Sequence, residues 1–253
     1  MIIFGDYHEH TTYSGKKIHV KHGKGTILEN AFVAKQKGIK EIGITEHGFN
    51  HWLYGAKRSY ISKMREEIEI AKQKTGVNIL LGIEANIISS DGDVDLTDDD
   101  IKNFDFIIVG YHKIVKPKSF KEFFKFFLPN YLGLKAKIDK RRNTLALMKA
   151  MDKYPIDIIS HPGVGMPIDF KEIGEYAKKT NTLLEINGKR IAYTEKDVEI
   201  LKKIGVNFII NSDAHRPSRV GNCNKGFNFA FKHNIPSESI VNLGKRPKFK
   251  KEI

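Results

Sequence analysis

Residues 5–10 read GDYHEH, and they follow directly on the apolar run Ile-Ile-Phe at residues 2–4. That apolar run predicts a first β-strand over residues 2–4. Alternate side chains of an extended chain point in the same direction, so Asp6, His8 and His10 share one face where the strand ends. The stretch therefore predicts a strand whose end carries a cluster of polar groups.

The same succession of a short apolar strand and a helical pattern recurs along the chain. Thr26 and Glu29, for example, form a capping box that opens a helical pattern running to about Gly38. Further strands are predicted at residues 41–45, 78–83, 104–109, 156–159, 183–186 and 207–210. Further helices are predicted at about 60–74, 144–153, 169–179 and 194–205, and at about 224–233 and 237–243 before a basic tail.

This alternation of strands and helices is typical of a parallel β/α architecture. Seven such units favour a (β/α)7 barrel, similar to a TIM barrel, and an open doubly wound sheet is the alternative. The composition shows no break that would mark a linker, so residues 1–253 are predicted to form a single domain.

One segment, at about residues 115–142, is longer than a usual β/α connection and is treated as an insert. It carries nine Lys or Arg residues and five Phe residues. Four of these form one apolar stripe at helical spacing: Phe120, Phe123, Phe124 and Phe127. We expect the stripe to pack on the barrel. A lid over the site, a grip on single-stranded nucleic acid and contact with a membrane surface are alternatives.

Composition limits the classes of function. Lys and Arg number 43 against 30 Asp and Glu, and the resulting net charge of +13 either attracts anions or reflects a lysine-rich solvated surface. Cys223 is the single cysteine, which excludes an internal disulfide and a multi-cysteine zinc site and suits the reducing cytoplasm. No apolar run approaches the ~18 residues of a membrane helix and no leader is evident, so we predict a cytoplasmic protein with no membrane partner.

Histidines and carboxylates follow nearly every predicted strand. Only 10 residues of the chain are His, and six of them stand at these positions. In strand order the side chains are His8 and His10, His47, Glu84, His112, His161, and Asp213 with His215, whereas the sixth strand offers only Asn187. Because the carboxyl ends of parallel strands meet on one face of a β/α fold, these side chains are predicted to converge.

Such a convergence indicates metal ions. Imidazoles buried together without a shared ligand would leave polar groups unpaired, which is costly. Imidazole and carboxylate without thiolate suit Zn²⁺, Mn²⁺ or Fe²⁺. About eight ligands exceed the need of one ion, so two or three divalent ions are predicted, with Glu84 as the natural bridge between two of them.

The motifs DYHEHT, ITEHG, GIEANI, GYH, SHPG and SDAH, in this order from about residue 5 to 221, resemble the PHP (polymerase and histidinol phosphatase) family of metal-dependent phosphoesterases. The resemblance implies a distorted seven-stranded β/α barrel with up to three metal ions. It also implies a phosphoesterase, in which a metal-bridging hydroxide held by Glu84 and the other ligands would attack phosphorus.

Carried over residue by residue, the resemblance implies three metal positions. The first would be held by His8, His10, Glu84 and Asp213. The second would be bridged by Glu84 and completed by His112 and His161. The third would take His47, His215 and a histidine of the first loop, where His22 matches best and His19 is the competitor. His51 and His233 are left as surface or packing residues.

Other residues are predicted to support the chemistry. Asp6 either orients a metal-bound histidine or makes a plain structural hydrogen bond. Arginine commonly binds phosphate, so Arg190, Arg216 and Arg219 are candidates for substrate binding, together with Asn187.

The leading hypothesis is a stand-alone phosphatase of a small phosphorylated metabolite, such as histidinol phosphate. A nuclease or nucleotide phosphatase is the first alternative, since the positive charge suits a nucleic-acid partner, although that partner is not favoured. A metal-binding module without catalysis is the second alternative. The helical patterns contain no evident coiled-coil seam, so the oligomeric state is left open.

Overall fold

The computed structural model describes residues 2–15, 22–133 and 139–252. Seven parallel strands lie side by side in chain order and form a nearly closed barrel. The strands are β1 (Gly5–Glu9), β2 (Glu41–His47), β3 (Asn78–Asn86), β4 (Phe106–Gly110), β5 (Ile158–Ile159), β6 (Leu183–Asn187) and β7 (Phe208–Asn211). The predicted (β/α)7 barrel is therefore confirmed.

Helices connect the strands on the outside of the barrel. They are α1 (Ile27–Gln36), α2 (Ile61–Thr75), α3 (Asp98–Lys102), α4 (Phe120–Glu122), α5 (Leu128–Leu132), α6 (Lys140–Lys153), α7 (Phe170–Lys179), α8 (Glu195–Ile204) and α9 (Asn224–Lys232). The predicted capping box is present: Glu29 N–H donates to the Thr26 hydroxyl, and Thr26 N–H donates to the Glu29 carboxylate. None of the helices in the described ranges is both long and apolar enough to cross a bilayer.

The first strand lies further along the chain than predicted. The prediction of residues 2–4 is wrong, because Ile3 forms an isolated antiparallel bridge with Leu243, whereas Gly5–Glu9 pairs with β2. All five residues of β1 are buried. Asp6 and His8 therefore lie within the strand, whereas the apolar run had placed them at its end.

The lumen of the barrel is narrow and is filled by few side chains. Its buried apolar residues are Tyr7, Phe106, Ile108, Ile158, Leu183, Ile209 and Phe249. A Cβ atom on Gly43 or Gly82 would lie 2.5 or 2.6 Å from the ring of Phe106. Glycine at these two positions therefore makes room for the aromatic ring.

The predicted tail closes the bottom of the barrel. Phe249 is 1% exposed, and its ring stacks on Phe106 at 4.6 Å between centroids. The predicted helix at 237–243 is wrong, since only Ser237–Ser239 forms a single 3₁₀ turn. Asn242 instead donates hydrogen bonds to Gly5 O at 2.9 Å and Ile210 O at 2.7 Å, and it thereby joins β1 to β7.

The insert packs with a different face from the one predicted. Of the expected stripe only Phe127 is buried, together with its neighbour Phe126, whereas Phe120, Phe123 and Phe124 are exposed. The physical reason is that Phe123–Phe127 forms a π-helical turn, which rotates the following residues relative to α-helical spacing. The rings of Phe126 and Phe127 pack on Tyr111.

Candidate metal centre

The nine predicted ligands come together at the carboxyl ends of the strands. His8 lies in β1 with His10 just after it, His47 ends β2, and Glu84 lies within β3. The loops after β4, β5 and β7 supply His112, His161, Asp213 and His215, and His22 precedes α1. Neighbouring ring centroids are 4.2 Å apart for His10 and His47, 4.3 Å for His10 and His215, and 4.2 Å for His22 and His215.

Glu84 lies at the centre of the cluster, and its two carboxylate oxygens together face five imidazoles. Oε1 is 3.2 Å from His8 Nε2 and 3.0 Å from His161 Nε2. Oε2 is 2.9 Å from His47 Nδ1, 3.4 Å from His112 Nε2 and 3.6 Å from His10 Nε2. The two oxygens of Glu84 therefore point to different groups of nitrogen atoms, as a bridging ligand requires.

Three sets of donor atoms lie within 4.8 Å of one another. They are His8, His10 and Asp213; His47, Glu84 and His112; and His10, His47 and His215. The donors are nitrogen and carboxylate oxygen, which is a ligand chemistry for borderline divalent cations such as zinc.

Several donor atoms of the cluster are buried and lack a hydrogen-bond partner within the described parts of the chain. They are His8 Nε2, both ring nitrogens of His10 and of His47, and Glu84 Oε2. Unpaired buried polar atoms are rare in native proteins because each costs free energy. Their concentration at one point fits the binding of metal ions by these residues.

At His8 and His161 burial lowers the pKa, but the carboxylate of Glu84 outweighs burial and raises the pKa above 6.5. Burial sets the protonation of three other imidazoles. It lowers the pKa of His10 and His47 well below 6.5 and that of His22 to about 4. These rings are therefore neutral at pH 7, and neutral imidazole is the form that binds metal.

The two carboxylates of the cluster are ionised. Burial raises the pKa of Glu84, but the imidazoles of His112 and His8 outweigh it and hold the pKa well below 4.5. For Asp213, burial is likewise outweighed by His8, which holds its pKa well below 3.8. Both carboxylates thus have the charge that a metal ligand needs.

A further glutamate, Glu185 in β6, orients the cluster. Its Oε1 accepts a hydrogen bond from His8 Nδ1 at 2.8 Å, which leaves Nε2 of the same ring facing Glu84. Its Oε2 accepts hydrogen bonds from the backbone N–H of His161 at 2.8 Å and from Asn187 Nδ2 at 2.9 Å. Sequence patterns did not indicate Glu185, because it lies within the sixth strand and not after it. A charged residue between the apolar residues of a strand was nevertheless a signal of a functional role.

Asp6 is fully buried and accepts hydrogen bonds from the backbone of the loop after β7. The donors are the N–H groups of Ser212, at 3.0 Å, and Gly221, at 2.8 Å. These contacts fit the structural alternative for Asp6, and they hold the loop that carries Asp213.

His22, in the loop before α1, lies beside the cluster. Its ring stacks on Tyr54 with 3.9 Å between centroids and meets His215 edge-on. His19 lies outside the described residues, so the choice between the two stays a prediction. His51 is buried and stacks on His47 at 5.2 Å, and His233 packs on Phe229.

A cavity of about 840 Å³ opens above the cluster. The predicted Arg190, Arg216 and Arg219 line it, and so does Lys189, which sequence reasoning did not select. Asn187 is fully buried and does not line the cavity, and its Oδ1 accepts hydrogen bonds from the N–H groups of Lys189 and Arg190. Asn187 thus shapes the loop that presents two cations.

Residues 6–195 match the family described as the PHP domain. The chain is 32% identical over 257 residues to a probable phosphatase of Clostridium novyi, which covers 95% of this chain and 91% of that protein. It is 32% identical over 250 residues to a probable phosphatase of Caldanaerobacter subterraneus, which covers 94% of this chain and 86% of that protein.

A solved structure shares the fold. It is histidinol phosphate phosphatase from Lactococcus lactis, complexed with zinc, L-histidinol and phosphate. The TM-score is 0.59 at 13% identity, and the match covers 93% of this chain and 95% of that chain. At this identity the likeness concerns the barrel and not the substrate.

Proposed function

The chain belongs to the PHP domain family and is a hydrolase of phosphoric esters, and from this premise we propose that it dephosphorylates a small phosphorylated metabolite. The observation that carries the proposal is the position of Glu84, whose two oxygens together face five imidazoles at the base of an open cavity. Histidinol phosphate, the substrate in the name of the Lactococcus lactis enzyme, is the first compound to assay.

We infer that two or three divalent ions, of zinc, manganese or iron, occupy the cluster. The residues that would hold them are His8, His10, His22, His47, Glu84, His112, His161, Asp213 and His215. Bound ions supply hydroxide at neutral pH by lowering the pKa of water, and they neutralise the oxygens of the phosphoryl group.

The remaining residues bind and orient. Glu185 fixes the ring of His8 so that Nε2 faces the other ligands. Arg190, Arg216 and Arg219 are placed to donate charge-assisted hydrogen bonds to phosphoryl oxygens that enter the cavity.

Metal content and substrate turnover test the proposal together. Elemental analysis is paired with a panel that contains histidinol phosphate, mononucleotides and oligonucleotides at low and high salt. Two or three ions per chain with salt-insensitive turnover of a small phosphomonoester would support the phosphatase. Preference for oligonucleotides that collapses with salt would support the nuclease instead, and bound metal without turnover would support the non-catalytic module.

The substitution His8→Ala tests the ligand assignment. We expect the variant to fold. We expect it to lose phosphatase activity and to bind less metal, because His8 is buried at the cluster with its Nε2 beside Glu84 and Asp213. His233→Ala is the matched control, since His233 packs on Phe229 away from the cluster. An active and fully metallated His8→Ala enzyme would contradict the assignment.

A further inference from the structure

We propose that the substrate carries a second anionic group, a carboxylate or a phosphate, in addition to the phosphate that is hydrolysed. The inference rests on the proposed function, since it concerns the cavity above the same cluster. It is drawn from the charges that line the cavity and from the loops that supply them.

Five basic side chains line the cavity: Lys113, Lys189, Arg190, Arg216 and Arg219. The acidic residues that line it are Glu84 and Asp213, and both belong to the ligand cluster. Lys189 pairs with Asp213, with 3.1 Å between Nζ and Oδ1. In the described ranges no other carboxylate of the lining is left for a positively charged substrate group.

The other four cations of the cavity have no carboxylate within 4.0 Å in the described parts of the chain. Lys113 contacts the face of the Tyr131 ring, which does not neutralise its charge. Four cations without a carboxylate partner in the described ranges therefore line one cavity, and an anion is the ligand that compensates their charge.

One phosphate is too small to use all of these cations. Lys113 follows β4, whereas Arg216 and Arg219 follow β7, three strands further along the sheet. Seven strands about 4.8 Å apart close a barrel that is roughly 11 Å across. Two loops three strands apart are nearly opposite each other, so they lie roughly 10 Å apart across the barrel. A phosphoryl group bound over the cluster beside the arginines leaves Lys113 for a second anion.

The same charges oppose a cationic substrate, so they predict that histidinol phosphate, which carries an ammonium group, is a poor substrate although it is the first compound to assay. A phosphomonoester with an ammonium group would bring that group among four unpaired cations. The cavity volume of about 840 Å³ leaves ample room beside a phosphate, so exclusion by size does not decide the preference. Charge is the discriminating property.

Three two-carbon phosphomonoesters that differ in charge test the inference. They are 2-phosphoglycolate, which carries a carboxylate, ethyl phosphate, which carries no second charge, and O-phosphoethanolamine, which carries an ammonium group. At constant ionic strength we expect kcat/KM for 2-phosphoglycolate to exceed that for ethyl phosphate by about tenfold or more, and O-phosphoethanolamine to be the poorest. Ethylene glycol bisphosphate in a fourth arm distinguishes a phosphate from a carboxylate as the second anion.

The variant Lys113→Gln tests the position of the second anion. We expect the ratio of kcat/KM for 2-phosphoglycolate to that for ethyl phosphate to fall by about tenfold in Lys113→Gln. Lys118→Gln is the matched control and should keep the ratio, because Lys118 pairs with Asp93 and does not line the cavity.

The outcomes separate this inference from the proposed function. Turnover of all the esters without preference for the anionic ones, or an unchanged ratio in Lys113→Gln, overturns the inference and leaves the phosphatase in place. Absence of turnover of every ester, p-nitrophenyl phosphate included, by the fully metallated enzyme overturns both.

Discussion

Two buried glutamates divide the work at the cluster. Glu84 faces five imidazoles, whereas Glu185 contacts one imidazole, one backbone N–H and two asparagine amides. Both carboxylates are ionised. Burial raises the pKa of each, but His112 and His8 outweigh burial at Glu84, and His8 outweighs it at Glu185, so both pKa values are lowered. Removal of Glu84 therefore takes away a proposed metal ligand, whereas removal of Glu185 releases the ring of His8 from its orientation.

Glu185→Gln is predicted to weaken metal binding by about 10- to 100-fold while the barrel stays folded. Glutamine has one acceptor oxygen where glutamate has two, so it cannot accept hydrogen bonds from both His8 Nδ1 and the N–H of His161. Metal titration of the chelator-treated protein measures the change. Glu175→Gln, at an exposed position of α7, is the control, and equal affinity in both variants would contradict the role given to Glu185.

At this scale the sequence located the polar residues by their position after strands, and the structure brings those side chains together. It did not reveal Glu185 or Lys189. A buried carboxylate inside a strand is recognised only when its partners are known, and those partners lie 177 positions away at His8. Lys189 looked like one of many surface lysines of a strongly basic chain.

Among the elements, the insert shows how a local irregularity changes which side chains are buried. Its α-helical stripe of phenylalanines is interrupted by the π-helical turn Phe123–Phe127, so Phe127 is 2% exposed and Phe124 is 51% exposed. Periodicity assumes a uniform helix and cannot anticipate an inserted residue in the turn.

Phe127→Ala is therefore predicted to lower the free energy of unfolding by about 3 kcal/mol, because it leaves a cavity against Tyr111. Phe124→Ala, in the same turn, is predicted to change it by less than about 0.5 kcal/mol. Urea unfolding of the two variants measures the difference. Equal losses would show that the α-helical stripe, and not the π-helical turn, determines the packing.

For the molecule as a whole, seven β/α units in the sequence were sufficient to predict a barrel, whereas the contacts that close it were not predictable. The seam depends on the side chains of Asn211 and Asn242, which bond across β1 and β7. The bottom depends on Phe249, from a stretch whose lysines suggested a solvated tail. Both features are contacts between distant parts of the chain, which local patterns do not encode.

Asp157 ties the bottom of the barrel together and makes the stability of the molecule depend on pH. Its carboxyl oxygens accept hydrogen bonds from the N–H groups of Lys250 and Ile107, and burial raises its pKa to about 6. Between the pKa of the unfolded chain and this value, the folded protein holds a proton that the unfolded chain releases. The stabilisation from Asp157 is therefore complete at low pH and is lost as the pH rises through about 6.

As the pH rises from about 4.5 to about 7.5, the free energy of unfolding of Asp157→Asn is predicted to increase by about 2 kcal/mol relative to that of the unsubstituted protein. The reason is that asparagine does not ionise. Urea unfolding of both metal-free proteins at the two pH values measures the change, and the fixed cost of the altered hydrogen bonds cancels. A difference that does not vary with pH would contradict the raised pKa.

The seam between β1 and β7 also sets an order of events in folding. Asn242 bonds to Gly5 across 237 positions of sequence, and closing so long a loop costs entropy before the contact is gained. We therefore expect neighbouring strands in the middle of the sheet to pair first and the two edges to join last. Because His8 and Asp213 lie on opposite sides of the seam, capture of metal by the refolding chain would mark this final step.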